Sequence, residues 1–246
     1  MTSRIRRLPP EIAEKIAAGE VVERPFSVIK ELVENSLDAQ ASRIEIFVEE
    51  GGRKLIRVQD DGWGMTPDEM LLALERHATS KIQSLDDLFS IGSLGFRGEA
   101  LPSLTAVSRF TLESRPRDGE RVAGFEIALE AGKILHRREA GTPVGTTVTV
   151  KDLFYNTPAR LKFLKSNETE WGHIEDYLTG MALAYPEVQF LAQHNGKEKI
   201  RWTQRGDKAR LTEIFGSDIA EGFYPLSTER GELRLRGYAG HPNLSR

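Results

Sequence analysis

The chain has 246 residues, of which 39% are hydrophobic and 29% charged, so it can bury a substantial core and is not a disordered protein. It has no cysteine, and its five histidines show no paired metal-ligand spacing, which excludes disulfide scaffolds and cysteine nucleophiles and argues against bound zinc. A net charge of −3 argues against a protein that mainly neutralises nucleic-acid phosphates, so DNA binding through residues such as Arg160, Lys162 and Lys165 is expected to be weak and salt-sensitive.

The amino terminus carries no signal for export. Arg4, Arg6 and Arg7 lead directly into Pro9 and Pro10, without the apolar region of a signal peptide. No apolar run in the chain approaches the ~20 residues that a membrane-spanning helix needs. We therefore expect a cytoplasmic protein.

The first strong helical pattern runs from about Pro25 to Ala39, and its proline stands in the first turn, where a missing N–H costs nothing. Apolar residues fall on one side of this helix: Val28, Ile29, Leu32, Val33 and Leu37. At 100° per residue, Glu31, Asn35 and Asp38 fall within an arc of roughly 60° on the opposite side. This arc is either a solvated helix face or a site where Asn35 offers an oxygen to Mg²⁺ and Glu31 holds an attacking water.

Two strands follow the helix, and Gly51-Gly52 predicts a hairpin turn between them. Their apolar positions are Ile44, Ile46 and Val48 in the first strand and Leu55, Ile56 and Val58 in the second. The second strand delivers Asp60 at its end, just before Asp61-Gly62-Trp63-Gly64. The glycines let the backbone approach a flat ligand, so Asp60 is either an acceptor for the exocyclic amine of adenine or part of an acidic turn.

A glycine-containing segment precedes the next helix start. From Thr79 to about Gly98 the composition predicts a loop long enough to be a candidate lid. Gly92, Gly95 and Gly98 punctuate its end, where backbone N–H groups and the positive end of a helix dipole could converge on phosphates. A glycine-rich surface loop is the alternative, and neither a P-loop nor a Gly-x-Gly-x-x-Gly turn from strand to helix occurs in the chain.

The remaining periodicities alternate between helix and strand and predict an α+β fold. Helices are predicted from Thr66-Pro67 through Leu74, from Glu99 through Leu104, from Thr157-Pro158, and from Trp171 to Met181; strands are predicted near 109–113, 121–130 and 146–150, with a hairpin turn at 194–196. After Thr203 a polar linker is predicted, then a helix near 210–215 and strands near 223–227 and 233–238. One helix and two strands cannot close a core, so we expect the chain to stop inside a second domain.

Four segments occur in an informative order: Lys30–Ala39, Asp60–Gly64, Gly95–Leu101 and Gly145–Thr147. They resemble the ordered motifs of the ATPase superfamily that type II topoisomerases, heat-shock chaperones, histidine kinases and MutL share. The segments at 16–22, 76–81, 95–101 and 152–160 resemble MutL specifically. From about Ile5 to Pro242, the chain resembles the amino-terminal ATPase part of MutL-type DNA mismatch repair proteins.

This resemblance implies a fold and a domain division. The fold would be a two-layer α/β sandwich in which helices cover a mixed, mostly antiparallel sheet, the Bergerat-type ATP-binding fold. Residues 1–20 would be an arm that stays disordered until a partner chain arrives, and residues 21–203 the ATP-binding domain. Residues 204–246 would be a linker and the truncated start of a second, ribosomal-protein-like domain.

The resemblance also implies roles for individual residues. Glu31 would be the general base, Asn35 the protein ligand of Mg²⁺, and Asp60 the reader of adenine. Gly64 would shape the floor of the adenine pocket, and the Thr147 hydroxyl would support the adenine base. The other implied nucleotide contacts are Asp38, the lid residues Thr79, Ser80 and Lys81, and the phosphate-binding residues Leu94, Gly95, Phe96, Arg97 and Gly98.

In the family, ATP binding orders the lid and the arm so that two such domains dimerise, and hydrolysis resets the switch. The implied partners are ATP with Mg²⁺, a second copy of the chain, the mismatch-recognition protein MutS, a downstream repair nuclease or helicase, and DNA, with a place at the nucleoid if the source is bacterial. The family's second domain sends a lysine to the γ-phosphate, and this sequence ends before it. We therefore expect ATP binding with weak or undetectable hydrolysis.

Two other interpretations remain. A chaperone or topoisomerase ATPase would have the four motifs in general form. It would not have the particular sequences found here at Gly95–Leu101 and Asn156–Arg160. A non-catalytic module for nucleotide-gated dimerisation and DNA binding stays open. A histidine kinase is disfavoured because none of the five histidines lies in an obvious phospho-acceptor helix.

Overall fold

A computed structural model describes residues 9, 16–19, 21–78, 94, 98–118, 123–203, 205–231 and 233–244. The described helices are α1 (Pro25–Asp38), α2 (Pro67–Ala73), α3 (Ala100–Val107), α4 (Pro158–Phe163), α5 (Asn167–Ala184), α6 (Asp207–Phe215) and α7 (Ser217–Ala220). The described strands are β1 (Arg43–Glu49), β2 (Leu55–Asp60), β3 (Arg109–Arg115), β4 (Gly124–Glu130), β5 (Lys133–Ala140), β6 (Gly145–Lys151), β7 (Gln189–His194), β8 (Lys197–Trp202), β9 (Phe223–Arg230) and β10 (Leu233–Gly240). None of these helices is long and apolar enough to cross a lipid bilayer.

Strands β1 to β8 form one sheet in the order β5-β4-β3-β6-β2-β1-β7-β8. Neighbouring strands are antiparallel except β1 and β7, which are parallel. The hairpin of β9 and β10 forms a second, separate sheet. The expected mixed and mostly antiparallel sheet is therefore confirmed.

One face of the large sheet is buried beneath helices. Alternate side chains of the central strands are buried, and Ile44 in β1 and Val58 in β2 are at most 2% exposed. They share one hydrophobic core with α1, α3 and α5, whose apolar sides contribute residues such as Leu32, Leu104 and Ile174. The opposite face of the central strands is only half-buried, with alternate residues intermediate in exposure. This is the expected two-layer α/β sandwich.

Several local predictions are confirmed. Helix α1 begins with Pro25 in its first turn and buries the predicted apolar side. Thr66 and Glu69 form the capping box at the start of α2, with each side chain bonded to the other residue's backbone N–H. Asn195 and Gly196 both have positive φ and join β7 to β8 as a tight hairpin.

Other elements differ from the sequence-based expectation. Strand β5 was not predicted, because nearly all of its residues are exposed and its side chains show no alternating burial; backbone pairing with β4 forms it. Helix α7 was also missed, because a four-residue helix has no detectable period. Thr157 does precede α4, but its side chain makes no capping hydrogen bond and its hydroxyl instead faces the Phe154 carbonyl oxygen at 3.4 Å.

The two ends of the ATP-binding domain proposed from the sequence make contacts across its boundaries. Residues 16–19 are helical, Ala18 is fully buried, and the Ile16 carbonyl accepts a hydrogen bond from Arg160, so this part of the expected disordered arm packs on the domain. Beyond residue 203, the buried Arg210 of α6 donates to the Val188 carbonyl at 2.8 Å. The position of the domain boundary stays a prediction.

Candidate nucleotide-binding site

Asp60 lies at the end of β2, on the helix-covered face of the sheet, and is only 9% exposed. Its Oδ1 accepts hydrogen bonds from the backbone N–H groups of Gly62 at 2.9 Å and Thr146 at 3.3 Å. Its Oδ2 lies 2.8 Å from the Ser36 hydroxyl on α1. A single carboxylate thus joins α1, β2 and β6.

The environment of Asp60 disfavours the charged form of its carboxyl group. Burial raises the pKa of Asp60, and the negative charge of Asp61 adds to the rise, while the hydrogen bonds from Gly62, Ser36 and Thr146 act against it and do not cancel it. When hydrogen bonds do not make up for the solvation that a buried charged group loses, that group is often part of a functional site. Asp60 is a buried acceptor at the end of β2.

Three glycines allow close backbone approaches at the ends of β2, β3 and α1. Gly145 has a φ of +108°, and a Cβ there would lie 2.0 Å from the Asp60 carbonyl oxygen. Gly64 has a φ of +67°, and its Cβ would lie 2.0 Å from the Arg115 carbonyl oxygen on β3. A Cβ on Gly62 would lie 2.7 Å from the Ala39 carbonyl oxygen at the end of α1. No larger residue fits at these positions without moving backbone.

The strand register separates the two threonines of the Gly145–Thr147 motif. Thr146 stands directly opposite Asp60 in the β2–β6 pair, so both side chains share the helix-covered face. Thr147 stands opposite Gln59 and Glu113 and points to the other face. The structure therefore does not bring Thr147 to Asp60 but brings Thr146, whose hydroxyl lies 3.0 Å from the Ser114 hydroxyl.

Two serines contribute to this site although the sequence motifs assign them no role. Ser36 is 3% exposed, and its hydroxyl is shared between Asp60 and the Leu32 carbonyl oxygen at 3.0 Å. Ser114 on β3 is 1% exposed, accepts from the Met65 N–H and donates to the Gly145 carbonyl, each at 2.9 Å. Sequence reasoning missed both, because a serine is informative only once its neighbours in space are known.

The predicted polar arc of α1 faces away from its buried side. Glu31, Asn35 and Asp38 are all half-buried, and Asp38 Oδ1 accepts a hydrogen bond from the Leu94 backbone N–H at 3.3 Å. This bond brings Leu94, at the edge of the glycine-containing segment, to the helix of Glu31 and Asn35.

Asn35 also suits a magnesium ion that takes most of its ligands from nucleotide and water. Within the ranges that the structure describes, no three histidine, aspartate or glutamate side chains form a metal-binding group. Mg²⁺ commonly uses one or two protein oxygens and takes its other ligands from phosphates and water. The amide oxygen of Asn35 fits that mode of binding.

Gly98 lies at the end of the predicted lid and contacts residues at its start. Its φ is +60°, its carbonyl accepts from the His77 N–H at 3.1 Å, and a Cβ on it would lie 2.5 Å from the Ala78 carbonyl oxygen. The two ends of the segment between them are therefore in contact. The predicted lid residues Thr79, Ser80 and Lys81 and the predicted phosphate-binding residues Gly95, Phe96 and Arg97 lie outside the described residues.

Comparison with known proteins agrees with this fold. Residues 23–139 match the family model described as histidine kinase-, DNA gyrase B-, and HSP90-like ATPase. The solved structure of the Aquifex aeolicus MutL ATPase domain complexed with ADP is 36% identical, with a TM-score of 0.67 over 85% of this chain and 73% of that chain. The fold is thus that of this class of ATPases.

Relatives in sequence narrow the class to one family. The DNA mismatch repair protein MutL of Citrifermentans bemidjiense is 51% identical over 100% of this chain and 38% of its own length. That of Xanthomonas axonopodis pv. citri is 52% identical over 98% of this chain and 39% of its own length. The chain belongs to the MutL family, and it spans about two fifths of the length of these relatives.

Proposed function

We propose that this chain is the ATP-binding part of a mismatch repair switch, which binds ATP with Mg²⁺, dimerises in that state and is reset by hydrolysis. The observation that carries the proposal is Asp60, a buried carboxylate at the end of β2 that accepts from the Gly62 and Thr146 backbone N–H groups. A ligand with an amine at its edge would donate to this carboxylate. The solved structure of a MutL ATPase domain complexed with ADP supports a nucleotide as that ligand.

Each polar group of the site has one proposed task. Asp60 accepts the adenine amine, and Thr146, rather than Thr147, stands beside it on the same sheet face. Asn35 holds Mg²⁺, and Glu31 takes a proton from the water that attacks the γ-phosphate. When bound, Mg²⁺ neutralises charge on the phosphate oxygens. Asp38 keeps Leu94 at the helix, where the adjoining predicted residues would meet the phosphates.

The whole protein would use this switch in DNA repair. By family membership we propose MutS, a downstream repair nuclease or helicase, and a second copy of the chain as partners. DNA binding by this part is expected to be weak and to fall with salt, because the chain carries a net charge of −3.

Substitution of Glu31 tests the assignment of the base. Glu31→Ala should bind ATP with the affinity of the original chain and lose about 10²- to 10⁴-fold in hydrolysis, because a positioned base contributes that much. Calorimetry with this chain measures the binding, and phosphate release by a longer protein of the family that carries the same substitution measures the hydrolysis. Asp176→Ala is the matched control, since Asp176 is an exposed carboxylate on α5. Loss of ATP binding by Glu31→Ala would refute the assignment.

We propose weak turnover at best for this chain, which spans about two fifths of the length of its relatives. A measurement in parallel with a longer protein of the family therefore sets the scale. If this chain binds ATP and dimerises but releases no phosphate, it is a nucleotide-gated dimerisation module, which is the alternative left open by its sequence.

A further inference from the structure

The segment 152–160 resembles MutL specifically, yet none of the proposed steps in nucleotide binding or hydrolysis uses it. Its backbone is tied to the end of α3. Phe154 is fully buried with a φ of +66°, and its N–H donates to the Val107 carbonyl at 2.8 Å. Asn156 donates through Nδ2 to the Ala106 carbonyl at 2.9 Å. A bulky residue keeps a positive φ only where its surroundings determine it, so the start of α4 has a fixed position.

Arg160 is the residue of this segment that reaches the amino-terminal part of the chain. No residue of α4 is buried, and Lys162 on the same helix is exposed. Arg160, in contrast, is half-buried, and its Nη1 atom is shielded from solvent. Its Nη2 atom donates to the Ile16 carbonyl at 3.4 Å. Because a guanidinium that leaves water needs acceptors in the protein, this contact compensates part of what Arg160 loses in solvation.

Gly19 provides the space that the Arg160 side chain occupies. A Cβ on Gly19 would lie 1.6 Å from Nη2 and 2.1 Å from Cζ of Arg160. The φ of Gly19 lies outside the left-handed region, and the residue stands in the helical turn 16–19, where alanine is favoured over glycine. The backbone conformation therefore does not require glycine at this position, whereas the place of the guanidinium does.

The other side of the helical turn 16–19 packs into the hydrophobic core. Ala18 and Val22 are fully buried and belong to the core cluster that includes residues of α1. The Val22 N–H donates to the Ala18 carbonyl at 2.8 Å. The turn therefore lies between the core on one side and the Arg160 guanidinium on the other.

We infer that Arg160 is an anchor for the chain's own amino-terminal segment: its guanidinium fills the space left by Gly19, holds the Ile16 carbonyl and fastens residues 16–19 to α4. The sequence alone placed Arg160 with Lys162 among expected DNA contacts, but in this arrangement its guanidinium serves a contact within the chain. In the proposed dimer, the residues before Ile16 would reach the second copy from a fixed point. This last step rests on the proposed function, whereas the anchor itself does not.

Hydrogen exchange followed by mass spectrometry tests the anchor in this chain without nucleotide. Peptides that cover residues 16–22 report whether the segment is attached, because the Val22 amide is protected by its bond to Ala18. Arg160→Ala should speed this exchange by about tenfold, the equivalent of one hydrogen bond from a charged group. Gly19→Ala should have the same effect, because its methyl group takes the place of the guanidinium while Arg160 keeps its charge.

Two matched controls and one combination complete the exchange experiment. Lys162→Ala removes an exposed charge from α4, and Gly180→Ala adds a methyl group within α5, where nothing lies within 4 Å of its Cβ. Neither should change the exchange of residues 16–22. The double variant of Gly19→Ala and Arg160→Ala should exchange no faster than either single variant, because both remove the same contact. Peptides from β2 should exchange as in the original chain in every variant.

The role in dimerisation is measured separately. With a non-hydrolysable ATP analogue and Mg²⁺, the dimer dissociation constant of Arg160→Ala and Gly19→Ala should rise by about tenfold, because a detached segment must first be ordered. The affinity for ADP in calorimetry should stay unchanged. Faster exchange of residues 16–22 beside an unchanged dimer constant would overturn this role.

The outcomes that overturn the anchor differ from those that overturn the proposed function. Unchanged exchange in Arg160→Ala or Gly19→Ala would refute the anchor, and so would slower exchange in Gly19→Ala, which would mean that alanine merely strengthens the helical turn. Faster exchange of β2 as well would show that Arg160 supports the whole fold and no particular segment. If the original chain forms no dimer with the analogue, the proposed switch fails, and the exchange results alone decide on the anchor.

Discussion

Asp60 and Asp61 are adjacent carboxylates with opposite electrostatic environments. Burial raises the pKa of Asp60 despite its hydrogen bonds. Burial acts in the same direction on Asp61, but hydrogen bonds from the side chain and N–H of Ser42 and from the N–H of Arg43 outweigh it and lower the pKa of Asp61. One residue therefore costs stability in its charged form, and its neighbour contributes stability.

The sign of each shift predicts a stability change. The folded chain holds the Asp60 proton at pH values where the unfolded chain has released it, so stability is lost as pH rises from about 3.8 through the folded-state pKa. Asp60→Asn should therefore raise the free energy of unfolding at neutral pH, since an amide can accept from Gly62 and Thr146 and donate to Ser36. It should also weaken ATP binding by about 10- to 100-fold, because a hydrogen bond to a charged acceptor is lost.

Asp61→Asn is the comparison for Asp60→Asn. The stability that Asp61 contributes is present above its unfolded pKa and is lost as pH falls through the lowered, folded-state value. The amide should therefore destabilise the chain at neutral pH. Urea unfolding at several pH values, with calorimetry of ATP binding, measures both variants, and a loss of stability in Asp60→Asn would contradict the description of its site.

His194, on β7 and two strands from β2 in the sheet, provides a second pH-dependent contribution. Its ring stacks on Trp171 at 4.7 Å between centroids, and its Nε2 accepts from the Gly51 N–H at 3.3 Å. Burial lowers the pKa of His194, and the charge of Lys199 lowers it further. The stability that neutral His194 contributes is complete above its unfolded pKa of about 6.5 and is lost as pH falls below that value.

His194→Gln should remove this pH dependence. The variant should be about 1 kcal/mol less stable than the original chain near pH 7.5, because it loses the stacked ring and the acceptor for Gly51. Between about pH 7 and pH 5 its stability should decline less steeply. His173→Gln, at an exposed position of α5, is the control. Equal slopes for His194→Gln and the original chain would show that His194 titrates freely.

Site residues could be predicted from the sequence where the prediction needs only their position within one helix or one strand. Asp60 could be placed at a strand end from the sequence, and the arc of Glu31, Asn35 and Asp38 follows from helix geometry. Thr146 and Thr147 could not be distinguished, since the choice depends on the β2–β6 register, which pairs residues 86 positions apart. Roles in binding and catalysis remain predictions.

At the level of elements, Gly145 fixes how β6 approaches β2. Gly145→Ala should destabilise the chain by about 2–5 kcal/mol, because its positive φ is strained for alanine and the new Cβ overlaps the Asp60 carbonyl. Gly141→Ala should change stability by less than about 0.5 kcal/mol, because nothing lies within 4 Å of its Cβ. Chemical unfolding of both variants gives the comparison, and similar stabilities would mean that β6 can shift without cost.

Elements with amphipathic sequences were predictable, whereas the exposed strand β5 was not. Helix α1 and strands β1 and β2 bury one side, so their periods are visible in the sequence. Strand β5 has Ile134 and Leu135 in succession, both exposed, and its pairing with β4 shifts register near them. An edge strand that contributes little to a core leaves no such period.

At the level of the whole molecule, the proposed switch predicts a change of size with nucleotide. A non-hydrolysable ATP analogue with Mg²⁺ should convert the chain from monomer to dimer in light scattering after size exclusion, because the proposed dimer forms only in the ATP-bound state. ADP should leave it monomeric. Asp60→Asn should stay monomeric at analogue concentrations that dimerise the original chain. A mass that does not respond to the analogue would contradict the switch.

The class of fold was predictable from motif order, but the path of the chain through the sheet was not. Local periodicity indicates that a segment is a strand but not which strands it pairs with. The parallel pairing of β1 with β7, for example, joins residues about 146 positions apart. The separate hairpin of β9 and β10 was predicted as a strand pair, and its place in a second domain stays a prediction.

The central position of β6 has a consequence for how the protein is made. The matched family model ends at residue 139, yet β6 begins at Gly145 and lies between β3 and β2, in the middle of the sheet. During synthesis, the β1–β2 hairpin and the β3–β4–β5 meander emerge first as two fragments with no strand to join them. The surroundings of Asp60 are incomplete until Gly145 and Thr146 leave the ribosome. ATP is therefore a ligand of the finished sheet and cannot guide the early steps of its folding.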